Sequence, residues 1–414
     1  MNNIPKIYDL IVVGAGAAGI IAAIVAARNT KKVLLLEKLP AIAAKLKATG
    51  GGKCNITNRL KDEDFITNFG KNGRFMQNAL QHFNAQKLES FLSSLGVETH
   101  SLDGFRVFPT SHNSQTIIDA LEKELLQLQV DIQTSSAVDS ITKIGQYFSI
   151  KTQQFSYKAN NVVIATGGLG FPTLGAQGDG YKFASALGHT ITPLFPAMMP
   201  LKTKERWGEY CRAQTIAKVQ IKVNLKKHKN LKAIGDLIFT KDGIRGPVVL
   251  DFAREITPLL EKYGEVPLLL NFTKGLNEDQ ITKHIHQVYL QNSNFSITQI
   301  ISTLVPETVA IQLILQANID PTLKLKKIHG KAKNKLIQLL AWTPLHIIGH
   351  DGFKTAMITR GGIKLKEIDP KTMQSKLISN LYFCGEIVDL DGPCGGYNLQ
   401  WSFSSGYLAG KLQH

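Results

Sequence analysis

Four apolar residues, Leu10 to Val13, stand together near the start of the chain, and a second apolar run, Val33 to Leu36, follows about twenty residues later. Runs so short and unbroken predict strands buried on both faces of a sheet. Between them Ala17 to Arg28 predicts a buried helix, so the first forty residues read as a β-α-β unit. A membrane span is the competing reading, because Leu10 to Ala27 is eighteen residues without a charge. Gly14, Gly16 and Gly19 interrupt that stretch, and its flanks lack the basic start and cleavage site of a signal peptide.

Further along, the period of the apolar positions changes several times. Residues 72–96 predict a helix with Phe75, Leu80, Phe83, Leu88, Phe91, Leu92 and Leu95 as its apolar face, 105–111 an extended segment, and 114–129 a second amphipathic helix. Strand-like stretches follow at 130–141, 146–152 and 160–168. From Pro193 onward short alternating stretches such as 215–225 and 266–272 predict an antiparallel sheet or small barrel, and 277–342 turns helical. The chain then returns to buried strand at 380–384 and ends in a helix opened by Gly395 and Gly396.

The glycines add chemistry to this pattern. Gly14, Gly16 and Gly19 have the G-x-G-x-x-G spacing: one permits the tight turn, one lets backbone approach a pyrophosphate, and one lets the helix pack against the strand. Glu37, closing the second strand, is placed to accept hydrogen bonds from both hydroxyls of a ribose. Gly50, Gly51 and Gly52 precede Lys53, Cys54 and Asn55 in a loop suited to a flat or anionic ligand. Ala165, Thr166, Gly167 and Gly168 end one strand, and Gly385 and Glu386 another. Three glycine-bearing strand ends on one sheet predict FAD lying extended across two β-α-β halves.

Composition narrows the class. Four cysteines, Cys54, Cys211, Cys384 and Cys394, form no C-x-x-C pair, which predicts a reducing cytoplasmic setting with neither disulfide framework nor metal site. Lys and Arg total 48 against 32 Asp and Glu, a net charge of +16 that points to a polyanionic partner. Lys324, Lys326, Lys327, Lys331, Lys333 and Lys335 lie in a stretch without an acid, either a solvated helix face or, together with Arg106, a contact for RNA phosphates.

The stretches GGGKCNITN, TGGLGFPTLGAQGDGYKFASALGH, LIFTKDGIRGP, ITRGGIKLKEIDPKTMQSKL and LYFCGEIVDLDGPCGGYNLQWSFSSGYLAG resemble the flavoproteins variously called HI0933-like, aminoacetone-oxidase-like or BaiN/RdsA, over nearly the whole chain. The resemblance implies an α/β Rossmann-type, two-dinucleotide-binding-domain FAD fold that is discontinuous, with an inserted antiparallel β-barrel and a small helical subdomain. The expected layout is residues 1–194 and 351–414 for the FAD-binding domain, 195–276 with a returning strand at 342–350 for the barrel, and 277–341 for the helices. By motif, Gly14, Ala15, Gly16, Ala18 and Gly19 hold the pyrophosphate and Glu37 the AMP ribose. Gly51, Gly52, Lys53, Cys54 and Asn55 line the isoalloxazine, Ala137 and Val138 approach adenine, and Ala165, Thr166 and Gly167 close the second crossing. Glu386 reaches the ribityl chain, and Asn398, Leu399 and Gln400 meet the pyrimidine edge. Lys38, Lys45, Gly385 and Asp389 complete the cofactor set.

Members of that family are associated with oxidation of aminoacetone, reduction of conjugated double bonds in 3-dehydro bile acids, and reduction of a 23S ribosomal RNA uridine to dihydrouridine. The last two are one chemistry: hydride adds to the electron-poor carbon of an enone-like system and a general acid protonates its neighbour. A +16 protein repels a small amine and attracts rRNA, so the rRNA uridine is the expected substrate, with NADH or NADPH as transient reductant. A small-molecule amine oxidase or enone reductase is the alternative, and a non-catalytic flavin-binding or redox-sensing protein a third. Cys54 and Cys394 are the candidate proton donors, each with a plain packing role as the competing reading. Tyr181, Tyr397, Trp401 and Phe403 are candidate stacking surfaces for a splayed base, or else core. No membrane contact is expected, and the sequence carries no signal for an oligomeric state.

Overall fold

A computed structural model describes residues 7–413, which divide into one unit running through Pro196 and resuming at Ala356, and a second, Ala197–Thr355. The sequence places these junctions at 194/195 and 350/351.

The first unit is built on a sheet whose strands run in the order Asp131–Gln133, Val33–Leu36, Ile7–Val13, Ser156–Ile164, Tyr147–Thr152, Val138–Ile144. Ser156–Ile164 is long enough to do two things. Its first half pairs antiparallel with Tyr147–Thr152, and its second half pairs parallel with Leu381–Phe383. The apolar runs are buried as their composition requires, with Leu10, Ile11, Val12, Leu34, Leu35, Val162, Val163 and Ile164 all at 0 % exposure.

The helix Ala17–Arg28 is buried from Ala18 to Ala26, so it has no polar face to give to water. Its companion is the terminal helix Tyr397–Gly410, and the two meet backbone to backbone. A Cβ on Gly406 would stand 2.3 Å from the Ala18 carbonyl oxygen, and one on Gly410 would stand 2.5 Å from that of Ala22.

The predicted helix over 72–96 is broken into a 3-10 turn Gly70–Met76 and helices Gln77–His82 and Ala85–Ser94. Phe83, at φ −149°, leaves the helical region, and Asn84 caps the next helix by accepting from the Lys87 N–H at 3.2 Å. Phe83, Leu88 and Leu92 remain in the core, so the apolar pattern survives the break.

In the second unit six strands close a barrel in the order Leu201–Thr203, Gly243–Arg245, Lys232–Phe239, Thr215–Val223, Val266–Asn271, Thr343–Gly349. A 17-residue helix, Pro247–Tyr263, sits inside this stretch, where the sequence predicts only strands. Its ends carry ordinary helix signals, Pro247 in the first turn and Gly264 in the left-handed region at φ 72°. Helices Glu278–Gln291, Ile297–Ile301, Glu307–Gln316 and Gly330–Ala341 follow before the last strand returns to the barrel. Among the described residues no helix is long and apolar enough to cross a membrane.

Valine at Gly406 has no room against Ala18. The Gly406→Val protein should lose about 1–3 kcal/mol of stability, read as a lower midpoint of thermal unfolding, and an unchanged midpoint contradicts the backbone contact.

Candidate dinucleotide and active site

Parallel pairing puts four strand ends level. Val13 stands opposite Leu36 and Ile164, and Ile164 opposite Phe383. Ligands of open α/β sheets lie along such an edge, and each strand here runs into a segment of the candidate site.

Gly14 turns the chain at φ 101°, donates to the Leu36 carbonyl at 2.8 Å, and leaves no space for a side chain, since a Cβ would lie 2.7 Å from the Ala165 oxygen. Gly19 is as constrained, with a Cβ 1.9 Å from the Gly14 oxygen. Gly16 differs: at φ −82° any residue fits the backbone, and a Cβ there meets nothing within 4 Å. That open space lies at the N-terminus of Ala17–Arg28, where a diphosphate gains from the helix N–H groups and dipole.

Glu37 is held from two sides. Its Oε2 accepts from the Ala15 N–H and its Oε1 from the Leu39 N–H, both at 2.9 Å. The carboxylate thus ties the glycine turn to the second strand and keeps lone pairs for ribose hydroxyls. The Ser136 N–H donates to the Glu37 carbonyl at 2.8 Å, which brings the exposed Ala137 and half-buried Val138 to the same rim. Lys38 reaches across to Asp179 at 2.5 Å and Gln177 at 3.1 Å.

At the second crossing Ala165 donates to the Val13 carbonyl at 2.9 Å, and Gly167, at φ 70°, has open space where a Cβ would be. Between them the Thr166 hydroxyl is buried without a hydrogen-bond partner, 2.0 Å from where a Cβ on Gly180 would stand, so it is packed against the helix Asp179–Ala186. Glu386 pairs with Lys45 at 2.6 Å and accepts from the Thr359 N–H at 2.9 Å. Thr359, absent from the sequence-based set, also accepts from the Leu169 N–H at 2.7 Å and so fixes both segments; the stretch ITRGG was its only signal. Gly385 donates to Ser405 Oγ at 2.9 Å, and burial pushes the Asp389 carboxyl up.

The glycine-rich loop is stitched to the turn before the terminal helix. Gly50, Gly51 and Gly52 all have positive φ, and Gly51 and Gly52 face open space. The Asn55 amide accepts from the Gly396 N–H at 3.1 Å and donates to the Thr57 carbonyl at 3.0 Å, while Asn58 donates to the Gly395 carbonyl at 2.8 Å. A Cβ on Gly396 would sit 2.4 Å from the Thr57 backbone, so only glycine allows this approach. Lys53 is exposed beside the loop.

Several residues stand elsewhere than the sequence suggests. Cys54 is fully buried at φ 59°, and burial pushes its thiol up to about 11 against the lowering effect of Thr49; it belongs to the core, whereas Cys394 is half-buried at the turn. Asn398 folds its amide back onto Gly392, accepting at 2.8 Å and donating at 2.9 Å. Gln400 has its N–H on the Gly396 carbonyl and its amide on the Phe83 carbonyl and Ser404, so its side chain faces the core; Leu399 is half-buried. The proposed stacking surfaces are core as well. Tyr181, Tyr397, Trp401 and Phe403 are buried, with Trp401 donating to the Gly385 carbonyl at 3.1 Å. Tyr397 packs against Phe65 and Phe69, and Trp401 against Phe75.

Arg106, exposed on the first unit, pairs with Asp103 at 2.7 Å and holds that carboxyl down at about 2. On the second unit Lys326, Lys327, Lys331 and Lys335 are exposed, Lys333 is half-buried, and Lys324 donates to Asn294 at 2.9 Å.

An open glycine cradle and a tethered acid along one strand edge fit a dinucleotide, and with the two-unit layout they define a Rossmann-type flavoprotein oxidoreductase dependent on FAD. The profile described as HI0933-like protein Rossmann domain matches residues 8–412, and the chain belongs to that family. It is 31 % identical to a 3-dehydro-bile acid delta(4,6)-reductase of Clostridium scindens, covering 97 % of each chain. A ribosomal RNA dihydrouridine synthase of Escherichia coli is 28 % identical over 98 % of this chain and 97 % of its own. Among solved structures, the 3-ketosteroid delta1-dehydrogenase of Sterolibacterium denitrificans shares the fold at a TM-score of 0.53 and 12 % identity, covering 98 % of this chain and 99 % of that one.

Removing the Glu37 carboxylate strands the Ala15 and Leu39 N–H groups as well as the ribose contact. The Glu37→Ala protein should bind FAD roughly 10- to 100-fold more weakly, as charge-assisted hydrogen bonds of about 1.5–3 kcal/mol imply. Titration of the apoprotein followed by flavin fluorescence measures this, and an unchanged dissociation constant contradicts the assignment.

Proposed function

We propose that the protein reduces a carbon–carbon double bond conjugated to a carbonyl, and that its substrate is the C5=C6 bond of a uridine in 23S ribosomal RNA. Two relatives spanning the full length carry names for this one chemistry, a delta(4,6)-reductase and a dihydrouridine synthase. The observation that carries the choice of RNA is charge and its distribution. Residues 197–355 hold 23 Lys and Arg against 13 Asp and Glu, so +10 of the net +16 falls on the barrel and helices. Such a surplus binds a polyphosphate chain by counterion release and gains far less from a steroid-like ligand that carries at most one carboxylate.

In this reading Gly14 to Gly19, Glu37, Thr166 and Gly167 hold the dinucleotide, with Ala137 and Val138 at its adenine end and Glu386, oriented by Lys45 and Thr359, at its ribityl chain. The loop Gly51–Asn55 and the turn before the terminal helix, tied together by Asn55 and Asn58, would hold the isoalloxazine. Bound FAD, once reduced by NADH or NADPH, would supply the hydride. Cys394 replaces Cys54 as the proton donor, because the Cys54 thiol has no exposed surface and Cys394 has. Reaction on rRNA places the protein in the cytoplasm.

A second reading, reduction of a small enone, draws on the Clostridium scindens reductase, which matches at the higher identity of 31 %. The test is the dihydrouridine content of 23S rRNA, by mass spectrometry of digests, in a deletion strain and its complements. Deletion should remove a dihydrouridine, Cys54→Ala should restore it, and Cys394→Ala should fall short by a factor of about 100 or more in rate while keeping its flavin. An unchanged content in the deletion strain contradicts the rRNA reading and leaves the enone. Full restoration by Cys394→Ala removes the proton-donor assignment alone.

A further inference from the structure

One hairpin of the barrel carries a charge pattern that folding does not need. Between Arg212 and Lys232 the chain has Arg212, Lys218, Lys222, Lys226, Lys227, Lys229 and Lys232, and no Asp or Glu. Strands Thr215–Val223 and Lys232–Phe239 pair antiparallel with Lys222 directly opposite Lys232, and like charges so placed weaken a sheet. The conflict is relieved on one side only: Lys222 lies over the Trp342 ring, its ammonium 3.5 Å from the centroid, while Lys232 is exposed.

The remaining amines are also displayed. At the irregularity between Ile216 and Val219, Lys218 adopts φ 55°, its N–H held by Asp236 at 3.1 Å and its side chain in solvent. Lys226, Lys227 and Lys229 are exposed at the tip. Among the described residues, none of Lys218, Lys226, Lys227, Lys229 and Lys232 forms an ion pair with a carboxylate, unlike Lys204, Arg206 and Arg212 of the same unit. Nor is the tip loose. The Asn224 N–H donates to the Pro267 carbonyl at 2.8 Å, and His228 packs edge-on against Tyr263 with ring centroids 5.9 Å apart.

We propose that this hairpin is a docking surface for the phosphate backbone of structured RNA. The inference rests on the rRNA reading above and gives it a binding surface distinct from the lysines at 324–335. Lysines spaced along a strand of roughly 25 Å present point charges to a repeating anion, the means by which nucleic acid is positioned without reading its bases. A bilayer needs a continuous apolar anchor as well; Leu225 and Leu231 at the tip are half-buried between the exposed amines, and Ile234 is the single large apolar side chain exposed on the two described strands.

The test uses the full-length, FAD-loaded protein and an unmodified 23S rRNA transcript, with affinity measured across a range of KCl concentrations. The comparison is between wild type, a hairpin variant (Lys226→Gln, Lys227→Gln, Lys229→Gln, Lys232→Gln) and a helix variant (Lys326→Gln, Lys327→Gln, Lys331→Gln, Lys335→Gln) of equal charge. Flavin absorbance verifies that each is folded. The hairpin variant should bind at least tenfold more weakly at fixed salt, with a log–log salt slope shallower by about 3, and the helix variant should change less. Equal losses in the two variants, or an unchanged slope in the hairpin variant while wild type binds steeply, overturn the hairpin and leave the rRNA reading standing. Failure of wild type to bind the transcript overturns both. Loss of binding to anionic phosphatidylglycerol vesicles, with RNA affinity kept, overturns the choice of partner.

Discussion

The helix Ala17–Arg28 touches main chain on two sides: Gly19 brings it against the Gly14 carbonyl, and Gly406 and Gly410 bring the terminal helix onto Ala18 and Ala22. At these distances no side chain intervenes, so the helix start is fixed relative to the strand ends by direct main-chain contact and not by adaptable side-chain packing. The same terminal helix begins at Gly396, which presses on Thr57 and so locates the glycine-rich loop. One contact chain therefore runs from the turn Gly14–Gly19, through two helices, to the loop Gly50–Asn55.

Chemistry then follows from which groups this frame leaves open. Glu37 and Glu386 are each held by two protein partners, which orients their carboxylates before any ligand arrives. Gly16, Gly51, Gly52 and Gly167 have room where Gly14, Gly19 and Gly396 have none, and we propose that they mark the course of an extended dinucleotide along the sheet edge. The substrate class we propose is a conjugated double bond, and the surplus of basic residues on the barrel unit supports its RNA form.

The β-α-β start was legible because its apolar runs, glycine spacing and terminal acid all agree on one local structure. Other parts were not. The apolar face at 72–96 is continuous in sequence, yet Phe83 leaves the helical region, and side-chain periodicity alone does not register that change. Pro247–Tyr263 was hidden among strand-like neighbours, although Pro247 and Gly264 marked its ends. Burial could not be read at the flavin-side motifs. Cys54, Gln400, Trp401 and Phe403 occur in glycine-rich stretches that suggest ligand contact, and each is packed inside. The basic hairpin is less conspicuous in the sequence than 324–335, because Lys218 and Lys222 are interspersed with the buried Val219, Ile221 and Val223 and only the short stretch Lys226, Lys227 and Lys229 stands together.

In the reaction proposed above, electrons leave this flavoprotein for a uracil ring held in rRNA. The most direct measurement is anaerobic stopped-flow oxidation of the pre-reduced holoprotein, monitored by return of flavin absorbance after mixing with unmodified 23S rRNA transcript. Reoxidation that is stoichiometric with dihydrouridine formed is the predicted result. A flavin that stays reduced with the transcript, but reoxidises with a conjugated steroid enone, contradicts the account.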